Sequence, residues 1–141
     1  MQADTEADIT HILQHSRTVA VVGLSPKTHR DSYEVAQYLQ RQGLRIVPVN
    51  PVAAASGQPI LGERVYATLA EAAGAEKIDL VDVFRNSDDV PPIVDEAIAI
   101  GAPAIWLQLG IVNDAAIAQA RAAGLRAVQN RCLLVEHRKH T

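Results

Sequence analysis

The chain has 141 residues, of which 48% are hydrophobic and 4% aromatic, and it carries one cysteine and a formal net charge of −3. This length suits one domain over residues 1–141, and a single cysteine excludes an internal disulfide. The negative charge argues against nucleic-acid binding. The sequence shows neither a basic-then-apolar leader nor an apolar run of about 20 residues, which predicts a cytoplasmic protein without a membrane segment.

The predicted secondary structure alternates between helices and strands. Apolar runs without polar alternation predict strands buried on both faces, over residues 18–24, 45–49, 80–84, 104–107 and 126–129. Helices are predicted within residues 1–16, from Asp31 or Ser32 to Gly43, from Thr68 to Gly74, after a cap at Ser87, and from Asn113 to Gly124. Tyr66 is assigned to a short additional strand. Residues 52–62 and 132–141 are predicted to be a surface loop and a solvated tail.

Strands that alternate with helices predict a parallel sheet with right-handed crossovers. We therefore expect an α/β fold, a Rossmann-like three-layer domain in which a mainly parallel sheet is flanked by helices. Ligands of such sheets bind beyond the carboxyl ends of the strands. The polar or small residues that lie just beyond the carboxyl ends of the predicted strands are candidates for such a site: Gly23, Ser25, Lys27, His29, Arg30, Asn50, Pro51, Arg85, Asn86, Gln108, Gly110, Asn130, Arg131 and Cys132.

The loop Gly23-Leu24-Ser25-Pro26 follows the first strand and partly matches a dinucleotide-binding loop. A G-x-G-x-x-G loop lets the backbone approach a pyrophosphate, but this loop has no third glycine before the helix. The side chains of Lys27, His29 and Arg30 can hold a phosphate together with the helix N-terminus. The alternative is an ordinary turn with solvated charges. The close spacing of three cationic or potentially cationic side chains favours anion binding.

The second strand ends at Asn50-Pro51, which bears on the choice of nucleotide. An acidic residue there binds the ribose of NAD, and a nearby cation binds the additional phosphate of NADP. Asn50 is neither, so redox dinucleotides are disfavoured, although its amide could bond a base or ribose edge. The alternative for Asn50 is a turn residue before a rigid proline.

Other chemistry-bearing residues carry weaker signals. His11 and His15 are four residues apart on the first predicted helix, but no third ligand is evident and no metal is expected. Asp82 lies within a predicted strand and requires a polar partner or an edge position. Cys132 could be reactive beside a cation, but a buried structural cysteine is favoured. The sequence lacks a Ser-His-Asp elbow, and no catalytic residue is assigned.

The sequence resembles the small stand-alone CoA-binding domain proteins, which are similar to the N-terminal domain of the succinyl-CoA synthetase α subunit. The resemblance covers residues 18–138 and implies a Rossmann-like fold that binds coenzyme A. It rests on six motifs in order: Val22-Gly-Leu-Ser-Pro26, Arg30-Asp-Ser32, Val47-Pro-Val-Asn-Pro51, Val81-Asp-Val-Phe-Arg85, Ile105-Trp-Leu-Gln-Leu-Gly110 and Asn130-Arg-Cys132.

The resemblance also implies roles for individual residues. The phosphates of the ADP half would be held in the first loop, which includes Pro26 and Lys27, by Gly23, Ser25, Arg30 and Ser32. The nucleotide would be bordered by Asn50 and Pro51. The path of adenine or pantetheine would be lined by Val83, Phe84 and Arg85. The far end of the ligand would face Gln108, Gly110, Asn130 and Cys132.

Three positions depart from the family pattern. Leu24 replaces a small residue and should narrow the space above the loop. Val52 replaces a lysine and removes a possible phosphate partner, and Asn130 replaces an aspartate. The enzyme relatives carry a phosphorylated histidine in a second domain that this sequence lacks, so synthetase chemistry is not expected.

The expected function is binding of coenzyme A or an acyl-CoA without turnover, as a carrier or sensor. The alternatives are an NAD(P)-linked oxidoreductase and an acyl-CoA-transforming enzyme that uses Arg85, Gln108 and Cys132. A further alternative is thiol capture, in which Cys132 forms a mixed disulfide with coenzyme A.

Overall fold

The structure is a computed structural model that describes residues 5–141. Residues 1–4 of the predicted N-terminal segment therefore lie outside the described part of the chain. The strands are β1 (Thr18–Val22), β2 (Arg45–Val49), β3 (Leu80–Val83), β4 (Ala104–Leu107) and β5 (Arg126–Val128). The helices are α1 (Thr5–His15), α2 (Asp31–Arg41), α3 (Pro51–Ser56), α4 (Leu69–Ala75), α5 (Val90–Ala99), α6 (Asp114–Ala122) and α7 (Leu133–Lys139).

The strands form one parallel sheet in the order β2-β1-β3-β4-β5. Val22, the last residue of β1, lies opposite Val49 on one side and Val83 on the other. The carboxyl ends of the three strands are therefore level with one another. The predicted parallel α/β sheet is confirmed, and every pairing between these strands is parallel.

The sheet separates two apolar clusters, because its side chains alternate between faces. One cluster holds the inner faces of α4, α5 and α6, and the other holds those of α1, α2 and α7. Trp106, the largest fully buried side chain, belongs to the second cluster. The result is the three-layer, Rossmann-like arrangement expected for strands with continuous Val, Ile and Leu runs.

Several predicted helix ends are observed. Gly43 follows the end of α2 with a φ of +92°, which is the left-handed conformation typical of a residue after a helix. The hydroxyl of Thr68 accepts from the backbone N–H of Glu71, and the side chain of Asn113 accepts from that of Ala116. These polar side chains satisfy N–H groups that lack a partner within the helix.

Two segments predicted to be irregular are helical. The predicted loop at residues 52–62 contains α3, which begins at Pro51 because Asn50 caps it and proline suits the first turn. The predicted tail at 132–141 contains α7, whose residue Leu133 is 1% exposed and packs in the core. Burial of one apolar face stabilises helices too short to form alone.

Three smaller predictions were wrong. Asp31 and Ser32 do not cap α2: Arg30 occupies the cap position, and Ser32 is inside the first turn. Ser87 begins a short 3-10 turn before α5 rather than capping it, and its hydroxyl accepts from the backbone N–H of Val112. Tyr66 makes an isolated bridge to β2 rather than a strand.

Within residues 5–141, the helices are all too short or too polar to cross a membrane.

Candidate functional site

The strand order places a crevice between β1 and β3. The chain leaves β1 toward β2 on one side of the sheet and later builds β3, β4 and β5 on the other side. The connections that follow β1 and β3 therefore diverge to opposite sides, and a ligand can enter between their carboxyl ends. Gly23 directly follows β1 and Phe84 directly follows β3, so these two residues form the floor of the crevice.

Gly23 is required at this floor for both its conformation and its size. Its φ is +88°, and a Cβ built on it would lie 2.6 Å from the carbonyl oxygen of Phe84. The backbone N–H of Gly23 donates to the carbonyl oxygen of Val49, and the backbone N–H of Phe84 donates to that of Val22, each over 2.8 Å. The backbone at the crevice is thus held in place, and Cδ of Arg85 lies 3.0 Å from the position that this Cβ would take.

The loop after Gly23 is held by its own serines. The backbone N–H of Ser25 donates to the hydroxyl oxygen of Ser32 over 3.0 Å, and that of Lys27 donates to the hydroxyl oxygen of Ser25 over 3.1 Å. Each hydroxyl accepts one bond and still has its own O–H to donate. The two serines therefore shape the loop and retain donors for a ligand oxygen.

The cationic side chains of the loop face solvent. Pro26, Lys27, His29 and Arg30 are all exposed. Arg30 occupies the cap position of α2, and its side chain makes no hydrogen bond to the helix. The N–H groups of the first turn are therefore not capped by Arg30. The first turn of α2 also carries the acidic residues Asp31 and Glu34. The cationic side chains of the loop, next to these N–H groups, are the ones that can attract an anion.

The side chain of Asn50 makes its hydrogen bonds to backbone groups. Its Oδ1 accepts from the N–H groups of Val52 and Ala53 over 3.0 and 3.2 Å, and its Nδ2 donates to the carbonyl oxygen of Leu24 over 2.9 Å. The side chain thus caps α3 and ties it to the first loop, as the turn-residue alternative predicts. Pro51 and Val52 are exposed beside it, with Val52 81% exposed.

Leu24 does not narrow the space above the loop, contrary to the sequence-based expectation. Its side chain is 0% exposed and packs in the apolar cluster beneath the loop. Val83 is likewise 0% exposed and packs in the other cluster, so its side chain contributes to the core. The neighbouring positions Phe84 and Arg85 are the ones that face a cavity.

A cavity of about 620 Å³ adjoins the crevice on the α2 and α7 side of the sheet. It contains the predicted site residues Phe84, Arg85, Gln108, Gly110 and Cys132. Asn86, which follows a predicted strand, also lines it. The remaining lining residues were not assigned to a site from the sequence: Asp31, Glu34, Val35, Ser87, Leu109, Ile111, Leu134 and Val135. We refer to it as the first cavity. Its volume is in the range of small-molecule sites.

A second cavity, of about 310 Å³, lies on the other side of Gly23. Arg85 borders both cavities, and its Nε lies 3.7 Å from Oδ2 of Asp89. Asp88 and Glu96 also line the second cavity, which makes it acidic. The first cavity also has acidic residues, Asp31 and Glu34, in its lining. The groups that favour an anion are therefore the cationic side chains of the first loop.

Gln108 forms the polar floor of the first cavity. Its Nε2 donates to Oδ1 of Asp82 over 2.6 Å, and its Oε1 accepts from the backbone N–H of Leu133 over 3.3 Å. Asp82 therefore has the polar partner that its position inside a strand requires. Burial raises the pKa of the Asp82 carboxyl to about 7, against the lowering effect of its hydrogen bond from Gln108.

Two hydrogen bonds hold the loops at the far end of the first cavity. Asn130 has a φ of 59°, and its Oδ1 accepts from the backbone N–H of Gly110 over 2.8 Å. Nε1 of Trp106 donates to the carbonyl oxygen of Arg131 over 2.8 Å. Cys132 follows directly and is partly exposed rather than fully buried. The sequence-predicted residues of the last two strand ends are therefore brought together.

The predicted absence of a metal site stays a prediction. The rings of His11 and His15 stack 4.0 Å apart on α1. Separately, Glu6, Glu136 and His140 place ligand atoms within 4.8 Å of one another. Glu136 lies near the cationic groups of Arg131 and Lys139 as well, at 3.9 and 3.4 Å, and these charges disfavour a cation.

Distant structural neighbours share the fold. A Rex-family repressor solved in complex with NADH superposes with a TM-score of 0.59 at 19% sequence identity, over 83% of this chain and 54% of that one. Identity this low shows the fold alone.

Closer relatives are matched along their full length. The Bacillus subtilis (strain 168) protein YneT is 36% identical over 137 residues, which cover 97% of both chains. The Thermus thermophilus structure designated cell-free ID.343 has a TM-score of 0.89 at 31% identity, over 99% of this chain and 100% of that one. A hypothetical protein from Pyrococcus horikoshii OT3 has a TM-score of 0.87 at 34% identity, over 99% and 98%.

A family model agrees with these relatives. The model of the CoA binding domain matches residues 17–138, which include every strand of the sheet, the glycine crevice and most of α7. The chain therefore belongs to the CoA-binding domain family.

Proposed function

We propose that the chain binds coenzyme A or an acyl-CoA and acts as a carrier or sensor, with residues 1–141 working as one domain. The ADP half lies across the first loop and the end of β2, and the pantetheine half enters the first cavity. The observation that carries this proposal is the close approach of Gly23 to Phe84, because it joins the start of the cationic loop to a residue that lines the first cavity.

The charges on the two sides of the crevice support this orientation. Lys27 and Arg30 are exposed on the loop that leads into α2, whereas Asp88, Asp89 and Glu96 line the second cavity. Phosphates are therefore attracted to the loop and repelled from both cavities, since Asp31 and Glu34 line the first one. Ser25 and Ser32 add hydroxyl donors on the favourable side.

The far end of the ligand meets a mixed lining. Ile111, Leu134 and Val135 supply apolar surface, and Gln108 supplies a buried amide. A flexible chain with amides and an apolar terminus suits such a lining better than a second charged nucleotide. The partly exposed thiol of Cys132 borders the same space.

The end of β2 disfavours the redox alternative. NAD-binding sheets place a carboxylate there to take the ribose hydroxyls. Asn50 instead uses Oδ1 for two backbone N–H groups of α3 and Nδ2 for Leu24. Both ends of the amide already make hydrogen bonds within the protein, which disfavours selection of a ribose by Asn50.

Isothermal titration tests the proposal. We expect coenzyme A to bind more tightly than 3′-dephospho-coenzyme A, and pantetheine to bind most weakly, because each truncation removes phosphate contacts with the loop. NADH serves as the competing ligand. Tighter binding of NADH than of coenzyme A, or no heat with coenzyme A at millimolar concentration, would reject the proposal.

The acyl-CoA-transforming alternative makes a separate prediction. If the chain hydrolyses or transfers the acyl group of acetyl-CoA, release of free thiol will be measurable, and loss of that release in Cys132→Ser would assign a catalytic thiol. A turnover that Cys132→Ser leaves unchanged removes the cysteine from the chemistry.

A further inference from the structure

The floor of the first cavity is connected to the interior of the sheet through one side chain. Gln108 is 4% exposed and lines the cavity. Its amide joins Asp82 on the central strand β3 to the backbone N–H of Leu133, the first residue of α7. Leu134 and Val135, the next residues of α7, form part of the cavity wall. The buried carboxyl, the cavity floor and the wall are therefore linked.

Asp82 has less polar contact than a buried carboxylate needs. Its side chain is 0% exposed, and its Oδ2 has no hydrogen-bond partner within the described residues. The residues opposite it on β1 and β4 are Val21, which is apolar, and Trp106, whose Nε1 donates to Arg131 instead. A carboxyl in this position is stable when neutral and costly when ionised.

No charged neighbour compensates for this burial. The titratable and charged residues on the helices that pack on this face are Glu6, Asp8, His11 and His15 on α1, Asp31, Tyr33, Glu34, Tyr38 and Arg41 on α2, and Glu136, His137, Arg138 and Lys139 on α7. Cys132 directly precedes α7. Asp8 pairs with Arg126, and Tyr38 bonds to His137. Burial raises the pKa of Asp82 to about 7, although the hydrogen bond from Gln108 acts in the opposite direction. Its ionisation therefore falls within the pH range in which proteins commonly work.

We propose that Asp82 is a positioning residue for the first cavity, and that ligand binding there is coupled to proton uptake by its carboxyl. This inference rests on the proposed function. A ligand in the cavity excludes water above Gln108, and this loss of water favours the neutral carboxyl. Because linkage is reciprocal, the affinity for coenzyme A falls as the pH rises through the ionisation of Asp82.

The neutral variant Asp82→Asn isolates this coupling. Asparagine carries no charge at any pH and retains an oxygen that can accept from Gln108. The phosphates of coenzyme A titrate in both experiments, so the ratio of the two dissociation constants cancels their contribution. Isothermal titration from about pH 6 to about pH 8 spans the ionisation. We expect the native protein to lose several-fold in affinity relative to Asp82→Asn, and a ratio independent of pH overturns the proposal.

A second measurement uses the native protein and does not require the variant to fold. The carbon-13 chemical shift of the Asp82 carboxyl reports its pKa directly with and without coenzyme A. An upward displacement of the pKa on binding supports the coupling, and an equal or lower pKa overturns it. Failure of coenzyme A to bind at every pH rejects the proposed function, whereas binding without a pKa change rejects the coupling alone.

Discussion

Gly23 and Phe84 approach so closely that a methyl group on Gly23 would lie 2.6 Å from the carbonyl oxygen of Phe84. The φ of Gly23 is also +88°, a conformation that residues with a Cβ rarely adopt. Gly23→Ala must therefore move the end of β3 as well as strain its own backbone. We expect loss of coenzyme A binding and a fall in the free energy of unfolding of about 2 kcal/mol or more, measured by urea denaturation.

Gly43 provides the matched control. Its φ is +92°, and a Cβ there would have no neighbour within 4 Å. Gly43→Ala should cost only the backbone strain, about 1 kcal/mol, and leave coenzyme A affinity unchanged. If Gly23→Ala and Gly43→Ala lowered the free energy of unfolding equally, the contact with Phe84 would contribute nothing beyond the backbone conformation.

Arg30 is expected to contact a ligand phosphate from the first loop. Removal of one charge-assisted hydrogen bond weakens binding by about 1.5–3 kcal/mol, so Arg30→Ala should raise the dissociation constant of coenzyme A at least roughly tenfold. Arg41, the last residue of α2, is also exposed and provides a charge-matched control at the opposite end of the helix. Similar effects of Arg30→Ala and Arg41→Ala would indicate attraction by overall charge instead of a contact.

Asp82 makes the stability of the free protein depend on pH in a defined direction. Its pKa is about 7 in the folded protein and 3.8 for the unperturbed group, so between these values the folded state holds a proton that the unfolded state has released. The free energy of unfolding therefore falls as the pH rises through this interval. One pKa unit corresponds to about 1.4 kcal/mol. The free energy of unfolding of Asp82→Asn should therefore exceed that of the native protein by a few kcal/mol near pH 8, and the difference should vanish near pH 4.

Asp95→Asn is the control for this titration. Asp95 is exposed on α5, where it accepts from Gln119 over 2.6 Å. Its replacement should change the free energy of unfolding by about 0.5 kcal/mol or less, as is usual for an exposed position. A stability difference for Asp82→Asn that does not grow with pH contradicts the assignment of a buried, neutral carboxyl.

Cys132 allows ligand occupancy of the first cavity to be measured chemically. The thiol is partly exposed and borders the cavity, and it is the one cysteine in the chain. Coenzyme A in the cavity should slow labelling by a maleimide in proportion to occupancy, as followed by intact mass. Cys132→Ser should give no label. Labelling at an unchanged rate under saturating ligand would place the ligand outside the first cavity.

The arrangement of the sheet was predictable because buried parallel strands have a simple pattern. Continuous Val, Ile and Leu runs identified each strand to within about two residues. Helices capped by Thr68 and Asn113 were also evident, since the cap is a local interaction. The loop of polar residues after β1 was identified by the same kind of local reasoning.

The short helices could not be predicted in this way. α3 has 6 residues and α7 has 7, and helices this short depend on packing against the rest of the protein. Neither has a capping box like that of Thr68 and Glu71, which identified the equally short α4. The wall of the first cavity was consequently missed, although the apolar run Leu133-Leu134-Val135 was a signal for a buried face. The bond between Gln108 and Asp82 depends on how β4 aligns with β3, which is a property of the assembled sheet.

The bond from Trp106 to the carbonyl oxygen of Arg131 gives the protein a built-in optical probe. Trp106 is the one tryptophan of the chain and is 0% exposed, so its emission is free of overlapping signals. The residue it bonds to immediately precedes Cys132 on the cavity wall. A displacement of that wall changes the polarity around the indole N–H, and intrinsic fluorescence can therefore follow ligand entry in real time without a dye.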